Sequence, residues 1–506
     1  MHSLLFLCAR RLVSHRPATR RALDLVPPQL FPVLFRAAFL DERTLALRDL
    51  VGTWPFPVLS FRRLLGHRRR RRHRSLGEKA TKLCVQAVIL AVVAHLRRAL
   101  EEPSRDGSEN RCRLRVLDMT GLHDDDTDRG PEWMSLWSGT VALAKACLEV
   151  SKHQNECLKR SSKRHKGPSG LSAAPQPFGV EVRADLFVNA TSFGVLRDAL
   201  RTAGLFRLKC RDFHAEELSV AGTVSLLESL EPAGVRRVDL RFNNLGLPGL
   251  CVVLPHLARF ADLLSLKLPY SNVNVRRWTA GTEAGLRCLA AQLGRLPRLK
   301  ELNLGSSRLS GKLRQLLGDL QAPLESLELA FCYLLPGDLA FLSQSFHAPA
   351  LKKLDLSGHD FSENLLQPLQ HLLEETSASL LHLDLMECRL TDACLESLLP
   401  ALCRCSRLRC LGLFGNPLST PGLKTLLRKT LLLPDLRLVV YPYPVDCYNL
   451  EPPRPPSAWL FQDALDEERF AAVAAELGRM LTSSGRADAV WTASLCRHGA
   501  LDYFAL

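Results

Sequence analysis

Residues 324–334 read Leu-Glu-Ser-Leu-Glu-Leu-Ala-Phe-Cys-Tyr-Leu, and this phrase decides the fold. Leucines occupy its first, fourth, sixth and last positions, and a cysteine or small polar residue stands at the ninth. Seven copies of the phrase begin at Val235, Leu263, Leu299, Leu324, Leu351, Leu380 and Leu408. Successive copies start 28, 36, 25, 27, 29 and 28 residues apart. A phrase of this form and period is a leucine-rich repeat.

Each repeat has room for one strand and one helix. Side chains alternate along a strand, so the two closely spaced leucines share one face. The remaining ~15 to 20 residues suffice for a helix of about three turns and its loops. One such unit cannot bury its apolar face alone, so neighbours must stack strand on strand and helix on helix. We therefore predict an α/β leucine-rich repeat solenoid. It should resemble the ribonuclease-inhibitor horseshoe, with a parallel inner sheet and outer helices.

The side chain at the polar position of the phrase can form hydrogen bonds with the backbone of the turn that follows the strand. Four repeats place Asn243, Cys332, Cys388 and Asn416 there. We interpret these residues as structural and not as metal ligands or nucleophiles. The closely spaced Cys403 and Cys405 have no matching Cys or His pair that would complete a zinc site.

Length and composition set the outer bounds. A chain of 506 residues is too long for one compact core, but a solenoid escapes this limit because each repeat contacts only its neighbours. No apolar run approaches the ~20 residues that span a bilayer, so we expect a soluble chain without a membrane partner. The 16 cysteines lack paired spacing, and free thiols in that number are typical of a reducing compartment.

The net charge of +15 comes from two short basic runs. Eight arginines and no acid lie between residues 62 and 74, and five lysines or arginines and no acid lie between residues 159 and 166. Without these thirteen charges the net charge is +2. Such runs are usually solvated and flexible, and the alternative is a nuclear-localisation signal or a patch for an acidic partner. No aromatic residue interleaves them, which argues against nucleic-acid binding.

The chain divides into four segments. An N-terminal helical region spans 1–110; irregular first repeats span 111–234, with a flexible insert near 151–176; the regular repeats span 235–440; and a C-terminal helical cap spans 441–506. Apolar periodicity predicts helices over 81–100 and 466–481 and strands over 113–120, 181–188 and 205–210. The Tyr-Pro-Tyr-Pro stretch at 441–444 cannot continue a regular repeat, because proline lacks the backbone donor.

The first helix carries a pattern that can bind a partner. Ser3, Leu4, Cys8 and Leu12 match small-Leu-xxx-Cys-xxx-Leu, the form of the Elongin-binding box of cullin-RING substrate receptors. The spacing of four places Leu4, Cys8 and Leu12 along one helix face. Residues 1–23 also contain five arginines and no acid, so a mitochondrial transit peptide is the alternative.

A second box follows the first. Val26, Pro27, Leu30 and Leu34 fit apolar-Pro-xx-apolar-xxx-Leu, which resembles the box that selects Cullin-2. Either pattern alone is weak, whereas the two in this order within ~20 residues are moderately specific. The alternative is that this segment is an amphipathic helix that only packs on the first repeats.

Three stretches of the N-terminal region resemble a known family. Residues 30–39 read Leu-Phe-Pro-Val-Leu-Phe-Arg-Ala-Ala-Phe, 50–57 read Leu-Val-Gly-Thr-Trp-Pro-Phe-Pro and 64–66 read Leu-Leu-Gly. Together they look like the N-terminal signature of the family of the preferentially expressed antigen of melanoma, the PRAME family. Residues 237–247, 323–332 and 444–448 resemble one branch of it, with a likeness that extends over the whole chain. The two basic runs are not part of the family pattern, so functions that depend on them are in doubt.

The resemblance implies partners. The branch implies a cytoplasmic adaptor that dampens Toll-like-receptor signalling to NF-κB, in innate immunity, by binding the β subunit of the IκB kinase. The wider family, together with the two boxes, implies a substrate receptor of a Cullin-2 and Elongin B/C ubiquitin ligase. The two implications are compatible if the repeats hold the kinase and the N-terminal helix holds the ligase. The arginine run at 67–74 leaves a nuclear pool open.

The sequence favours binding over catalysis. It has no glycine-rich phosphate loop and no GxSxG or HExxH arrangement, so we predict no catalytic residue, cofactor or metal. An inner sheet instead presents the variable strand positions as a continuous surface. The candidate partner-binding residues are Glu301, Asn303, Glu325, Glu328, Lys352, Asp355, His382, Asp384 and Arg409.

Overall fold

The computed structural model describes residues 3–65, 81–101, 112–122, 134–164, 179–276, 279–362, 364–449 and 465–493. It divides into two compact units, residues 1–235 and 236–506. The arginine run at 67–74 and the second half of the predicted insert, 165–176, lie outside the described residues.

The described part of the first unit contains nine helices and four strands. Its helices are α1 (Leu4–Val13), α2 (Arg16–Leu23), α3 (Phe31–Leu40), α4 (Thr44–Gly52), α5 (Phe61–Leu65), α6 (Lys82–Glu101), α7 (Leu136–Arg164), α8 (Phe193–Arg201) and α9 (Val220–Ser229). Its strands are β1 (Val58–Ser60), β2 (Val116–Asp118), β3 (Val180–Val188) and β4 (Phe206–Ala215). The four strands pair in parallel in chain order and confirm the predicted strands. Helix α6 confirms the predicted helix over 81–100.

A cluster of aromatic rings forms the core among the first helices. Phe35 lies edge-on to Trp54 and Phe61, at centroid distances of 5.8 Å each. Phe31 also meets Trp54 edge-on, and the Trp54 indole N–H donates to the Val58 carbonyl at 3.2 Å. Edge-to-face pairs of this kind add to the stabilisation that burial alone provides. The aromatic residues of the N-terminal signature are therefore core residues.

Helix α6 corrects the expectation that no segment approaches the length of a membrane span. It has 20 residues and a mean hydropathy of 1.7 over its most apolar window, enough by length and composition to cross a bilayer. In the structure 56% of that window is buried, and the helix packs against α4 and α7. The packing accounts for the apolar composition of a core helix.

Two other features of the first unit differ from the sequence prediction. Strand β1 lies inside the segment predicted to be only helical and pairs in parallel with β2. Helix α7 extends into the predicted flexible insert, so that prediction is wrong for residues 151–164. There His153 lies 3.0 Å from the Glu101 carboxylate, and Gln154 accepts a backbone N–H at 3.3 Å. These contacts hold a helix whose composition alone suggested a loop.

The second unit alternates short strands with helices. Its strands are β5 (Arg237–Asp239), β6 (Ser265–Lys267), β7 (Glu301–Asn303), β8 (Ser326–Glu328), β9 (Lys353–Asp355), β10 (His382–Asp384), β11 (Cys410–Gly412), β12 (Leu438–Val440) and β13 (Val490–Thr492). Its helices are α10 (Gly246–Leu257), α11 (Ala280–Gly294), α12 (Leu313–Leu317), α13 (Pro336–Gln344), α14 (Leu366–Thr376), α15 (Asp392–Arg404), α16 (Thr420–Thr430) and α17 (Glu467–Ser483).

All nine strands pair in parallel in chain order, and the predicted leucine-rich repeat solenoid is confirmed. Each strand from β5 to β11 is centred on the fourth position of the phrase, and Leu327 and Leu329 are fully buried. Helix length follows repeat length. The longest interval between copies holds the 15-residue α11, and the shortest holds the five-residue α12.

The polar position of the phrase has the structural role that we predicted. The Asn243 amide donates to the Leu240 carbonyl at 2.9 Å, and the Cys332 thiol donates to the Leu304 carbonyl at 3.2 Å. Asn416 both donates to carbonyls and accepts the backbone N–H of Cys388 at 2.9 Å. Buried backbone groups in the turns thereby gain hydrogen-bond partners.

The regular array ends where the sequence predicts. Strand β12 begins on schedule, the Tyr-Pro-Tyr-Pro stretch breaks the pattern, and α17 confirms the predicted helix over 466–481. Leu477 and Leu481 of α17 are buried, as the apolar periodicity of this segment requires. Strand β13, which was not predicted, adds one more parallel strand after β12.

Candidate interaction surface

The candidate binding residues lie along the strands of the second unit. Each strand directs its central leucine toward the helices, so the two flanking residues point to the opposite side. We call these flanking residues, together with the residue immediately before each strand, the strand face. All nine predicted residues lie on or immediately before strands β7 to β11. They are Glu301, Asn303, Glu325, Glu328, Lys352, Asp355, His382, Asp384 and Arg409. The structure therefore brings the predicted set together on five neighbouring strands.

An ion pair lies at the centre of this face. The Lys353 ammonium is 2.9 Å from a Glu328 carboxylate oxygen, and the Asn303 amide donates to the other oxygen at 2.7 Å. Burial favours the neutral form of Glu328, but Lys353 and Lys267 outweigh it and hold the pKa of Glu328 below its ordinary value. Burial likewise opposes the charge of Lys353, and its carboxylate neighbours raise its pKa instead. Both groups are therefore charged at neutral pH.

Glu301 differs from the other candidates because it is buried. Its side chain is paired with the Lys267 ammonium at 2.9 Å, and only 4% of the residue is exposed. Glu301 stays a predicted partner-binding position, but it is less accessible than the other candidates. Its carboxylate is already matched across the strands and has little surface to present.

Glu325 links three successive repeats. Its two carboxylate oxygens accept from the Lys300 and Lys352 ammonium groups, each at 2.7 Å. Both lysines are more than a third exposed, so solvent screens these pairs and they contribute little to stability. Their effect is to hold long side chains in place before a partner arrives.

Two carboxylates face each other on adjacent strands next to this ladder. Asp355 and Asp384 are register partners of β9 and β10. The His382 ring lies 2.8 Å from an Asp384 oxygen, and the Ser357 N–H donates to Asp355 at 2.9 Å. Burial, and then the neighbouring Asp384, raise the pKa of Asp355 to about 6. This pair can take up a proton or a cationic side chain near neutral pH.

The Elongin-box candidates lie on the exposed side of α1. The Ser3 hydroxyl caps the helix by accepting the Phe6 N–H at 3.3 Å. Leu4 is 77% exposed, Cys8 is exposed and Leu12 is half-buried. The buried residues of the helix, Phe6, Ala9 and Val13, form its other side, and the helix packs on α3. Packing of α1 therefore leaves the box residues accessible.

The Cullin-2-box candidates are divided by burial. Pro27 is exposed and precedes a short 3-10 turn, whereas Val26 and Leu30 are half-buried. Leu34 is only 4% exposed, within α3, because it packs into the core of the first unit. Leu34 therefore has a packing role in the described structure, and its place in a Cullin-2 box stays a prediction.

The sequence prediction missed an exposed row of aromatic residues in the loops that follow the strands. We call Phe242, Tyr270, Phe331 and Tyr333 the aromatic ridge. Between 42% and 53% of each residue is exposed. The available signal was an aromatic residue directly before the polar position of the phrase, which occurs in three of the seven repeats, at residues 242, 270 and 331.

The thiols of the repeats are poor nucleophiles. Burial raises the pKa of Cys332 to about 12 and raises that of Cys388 further. Only the thiolate is an effective nucleophile or metal ligand. Among the residues that the structure describes, no three or more His, Cys, Asp or Glu side chains are arranged to hold a metal ion.

Comparison with known proteins places the chain among leucine-rich repeat proteins. The model of the PRAME N-terminal domain matches residues 2–98, and that of the PRAME C-terminal domain matches residues 200–505. Leucine-rich repeat-containing protein 14 of Xenopus laevis is 54% identical over 509 residues, and its counterpart in Mus musculus is 48% identical over 511. Both alignments cover 100% of each chain. The solved structure of the leucine-rich repeat-containing protein LegL7 from Legionella pneumophila is 18% identical, with a TM-score of 0.32 over 52% of this chain and 75% of that one.

Proposed function

Because the chain belongs to the PRAME family, we propose that it is a protein-interaction adaptor that dampens Toll-like-receptor signalling to NF-κB. In this proposal the strand face binds the β subunit of the IκB kinase and disturbs the kinase complex. The activity is non-catalytic and takes place in the cytoplasm. A tagged full-length chain should then be confined to the cytosol, and a mitochondrial or nuclear location would point to the N-terminal or arginine-rich segments.

The observation that carries this proposal is the prearranged charge pattern of the strand face. Glu325 pairs with Lys300 and Lys352, and the largely buried pair of Glu328 and Lys353 fixes both of its side chains in the free protein. Ordering a mobile side chain on binding costs about 0.5 to 1.5 kcal/mol, and a partner of this surface avoids much of that cost. Positions on five neighbouring strands also give a partner many separated contacts on one rigid scaffold.

The experiment is a direct binding measurement between the full-length chain and the purified kinase β subunit. The test variant carries Lys352→Glu and Arg409→Glu, on the strand face. The control carries Arg428→Glu and Lys429→Glu, which reverse the same number of charges at exposed positions of α16. We expect affinity to fall on the order of tenfold or more in the test variant alone, since charge reversal in an interface costs ~1.4 kcal/mol or more. Equal loss in both variants, or none in either, would contradict the proposal.

A second function is favoured by the exposed side of α1. The Leu4 and Cys8 side chains are accessible although the helix is packed, which is what a ligase-binding box requires. We propose as the alternative that the chain is a substrate receptor of a Cullin-2 and Elongin B/C ubiquitin ligase. Burial of one leucine in an Elongin pocket would contribute about 1.5 to 3 kcal/mol.

The ligase alternative is tested with Leu4→Arg in the full-length chain. Co-purification of Elongin B/C and Cullin-2 should be lost, while circular dichroism of the repeats stays unchanged. Leu432→Arg is the matched control, because Leu432 is 80% exposed, about as much as Leu4, and lies outside α1, after α16. If the Leu4→Arg variant still co-purified with Elongin B/C and Cullin-2, the box residues would not bind the ligase, and α1 would be only a packing helix.

A further inference from the structure

The aromatic ridge occupies backbone positions that favour glycine. Phe242, Tyr270 and Phe331 have φ angles of 58°, 57° and 56°, in the left-handed region. In the other four repeats the same position is filled by Gly358 and Gly415, each with a φ of 75°, and by Ser306 and Glu387, with φ angles of 60° and 54°. A side chain with a Cβ is strained there, and glycine is not. Because glycine, serine or glutamate serves the fold in those repeats, the fold does not need an aromatic residue there, and the exposed aromatic residues of the other three repeats point to another role.

The ridge residues stand on three repeats: Phe242 and Tyr270 lie on neighbouring repeats, and Phe331 and Tyr333 lie two repeats beyond Tyr270, with Ser306 and Arg308 in the repeat between them. The Phe242 N–H donates to the Pro269 carbonyl and the Tyr270 N–H to the Gly305 carbonyl, so the parallel ladder continues into the loops. Phe242 and Tyr270 stack with ring centroids 4.5 Å apart and an angle of 15°. Phe331 lies over Gly358, where an added Cβ would come within 2.1 Å of the ring.

Two arginines add positive charge at one end of the ridge. The Arg276 and Arg308 guanidinium groups lie 5.4 and 5.8 Å from the centroid of the Tyr333 ring. Both arginines are exposed, and neither has a carboxylate partner among the residues that the structure describes. This is unlike the strand face, where most charges are matched. Cation–π contact fixes the guanidinium planes while their N–H edges remain available.

We propose that the aromatic ridge binds an acidic, apolar-containing segment of a partner protein. The partner's carboxylates would meet Arg276 and Arg308, and its apolar side chains would cover the rings of Tyr270 and Phe331. The inference rests on the proposed adaptor function and deepens it. It adds a second contact surface, which selects a partner segment with acidic and apolar side chains.

The geometry favours an acidic peptide over a nucleic acid. A nucleic-acid platform needs free ring faces on which bases stack. Here Tyr333 is approached by two guanidinium groups, Phe242 and Tyr270 cover one face of each other, and Phe331 lies on Gly358. The net charge of the chain outside its two basic runs is also only +2, which provides no broad field for a phosphate backbone.

The test uses the full-length chain and three fluorescent probes read by anisotropy. The first is a short peptide of alternating glutamate and leucine, the second is its twin with glutamine in place of glutamate, and the third is single-stranded oligouridine. We expect the glutamate peptide to bind best and its affinity to fall as salt rises, because exposed charges are screened. Equal binding of the glutamine twin, tighter binding of oligouridine, or no binding of the first probe would overturn the proposal.

Two variants and one control locate the binding. Arg276→Gln with Arg308→Gln should weaken the glutamate peptide on the order of tenfold, since two charge-assisted contacts are lost. Tyr270→Gly with Phe331→Gly should also weaken it, while the melting temperature does not fall, because glycine relieves the left-handed strain. Arg389→Gln is the control, since the exposed Arg389 is already paired with Asp360 at 3.0 Å. Unchanged affinity in both ridge variants would contradict the proposal.

Failure of this inference can be distinguished from failure of the proposed function. The adaptor proposal depends on Lys352 and Arg409 of the strand face and is read by binding of the kinase β subunit. The ridge proposal depends on residues of the loops and is read by the glutamate peptide. A chain that binds the kinase while its ridge variants keep wild-type peptide affinity would retain the first proposal and lose the second.

Discussion

The two sides of the sheet in the second unit differ in how much the residue type at equivalent positions varies from repeat to repeat. On the helix side, Leu302, Leu327, Leu354 and Leu383 occupy equivalent positions, and all are fully buried. On the strand face, the residue after each of these leucines is asparagine, glutamate, aspartate and aspartate in turn. Each leucine meets the same surroundings in every repeat, so one residue type satisfies all of them. Each strand-face residue instead forms ion pairs or hydrogen bonds with the particular side chains on its neighbouring strands.

The difference separates the two tasks of a repeat protein. The helix side gives stability that is roughly the sum of similar contributions from each repeat and its interfaces. The strand face can determine which partner binds, because its residues vary from repeat to repeat without changing the stability that the helix side provides. Most of its charges are nevertheless matched within the face, as with Glu328 and Lys353. A partner therefore meets a surface whose pattern is fixed before binding.

The largest test of this comparison is a change on the helix side. Leu354→Ala should lower the free energy of unfolding by about 2 to 5 kcal/mol, because it removes buried methyl groups and leaves a cavity. Urea denaturation of the full-length chain measures the effect. The control is Leu432→Ala, since Leu432 is 80% exposed and its loss should change stability by about 0.5 kcal/mol or less. Similar losses for both leucines would mean that the leucine core is not the source of stability.

The second test breaks an ion pair on the strand face. Glu328→Gln should lower the free energy of unfolding by about 1 to 3 kcal/mol, because it leaves the Lys353 charge without its partner. The side chains of Glu328 and Lys353 are only 12% and 14% exposed, so solvent replaces the lost contact poorly. The measurement is again urea denaturation at neutral pH.

The matched control replaces both members of the pair. Glu328→Met combined with Lys353→Met should recover most of the stability lost in the single variant, because a buried pair and apolar residues of similar volume are often near equal. A double variant as unstable as Glu328→Gln would show that the pair contributes net stability and does more than set the charge pattern.

The sequence was sufficient to predict the helix side. The spacing of leucines determined which residues form strands and which face the core, and Leu327 and Leu329 are buried as expected. It also indicated the structural role of Asn243 and Cys332. The edge strands β1 and β13 were missed because each has three residues and no leucine phrase. Their pairing is determined by the neighbouring strand and cannot be read from local pattern.

The sequence predicted where the strand-face residues lie, but not which of them are buried or paired. Alternation placed six of the nine candidates on one side, yet Glu301 is paired with Lys267, which lies 34 residues earlier on the neighbouring strand. The aromatic ridge had a local signal in Phe242, Tyr270 and Phe331. What the sequence did not reveal is the positive φ at these positions, which sets them apart from ordinary exposed aromatic residues.

The smallest test concerns Asp355, whose pKa is raised to about 6 by burial and by Asp384. Between pH 4 and 6, approximately, the folded chain holds this proton and the unfolded chain has lost it, so stability falls as pH rises through that window. Asp355→Asn removes the titration. We expect the variant to be more stable than the wild type at pH 7, on the order of 1 to 2 kcal/mol, and the difference to vanish near pH 4.

Asp360→Asn should show the opposite sign and serves as the control for the pH series. The Ser362 hydroxyl, together with the Ser362 N–H and Arg389, holds the pKa of Asp360 below its ordinary value. Its charge therefore stabilises the folded chain above the ordinary pKa, and that contribution is lost as pH falls. Thermal unfolding between pH 4 and 8 compares the two variants with the wild type. If Asp355→Asn followed the trend of Asp360→Asn, burial and the neighbouring Asp384 would not raise the pKa of Asp355, and the carboxylates of β9 and β10 would not repel each other.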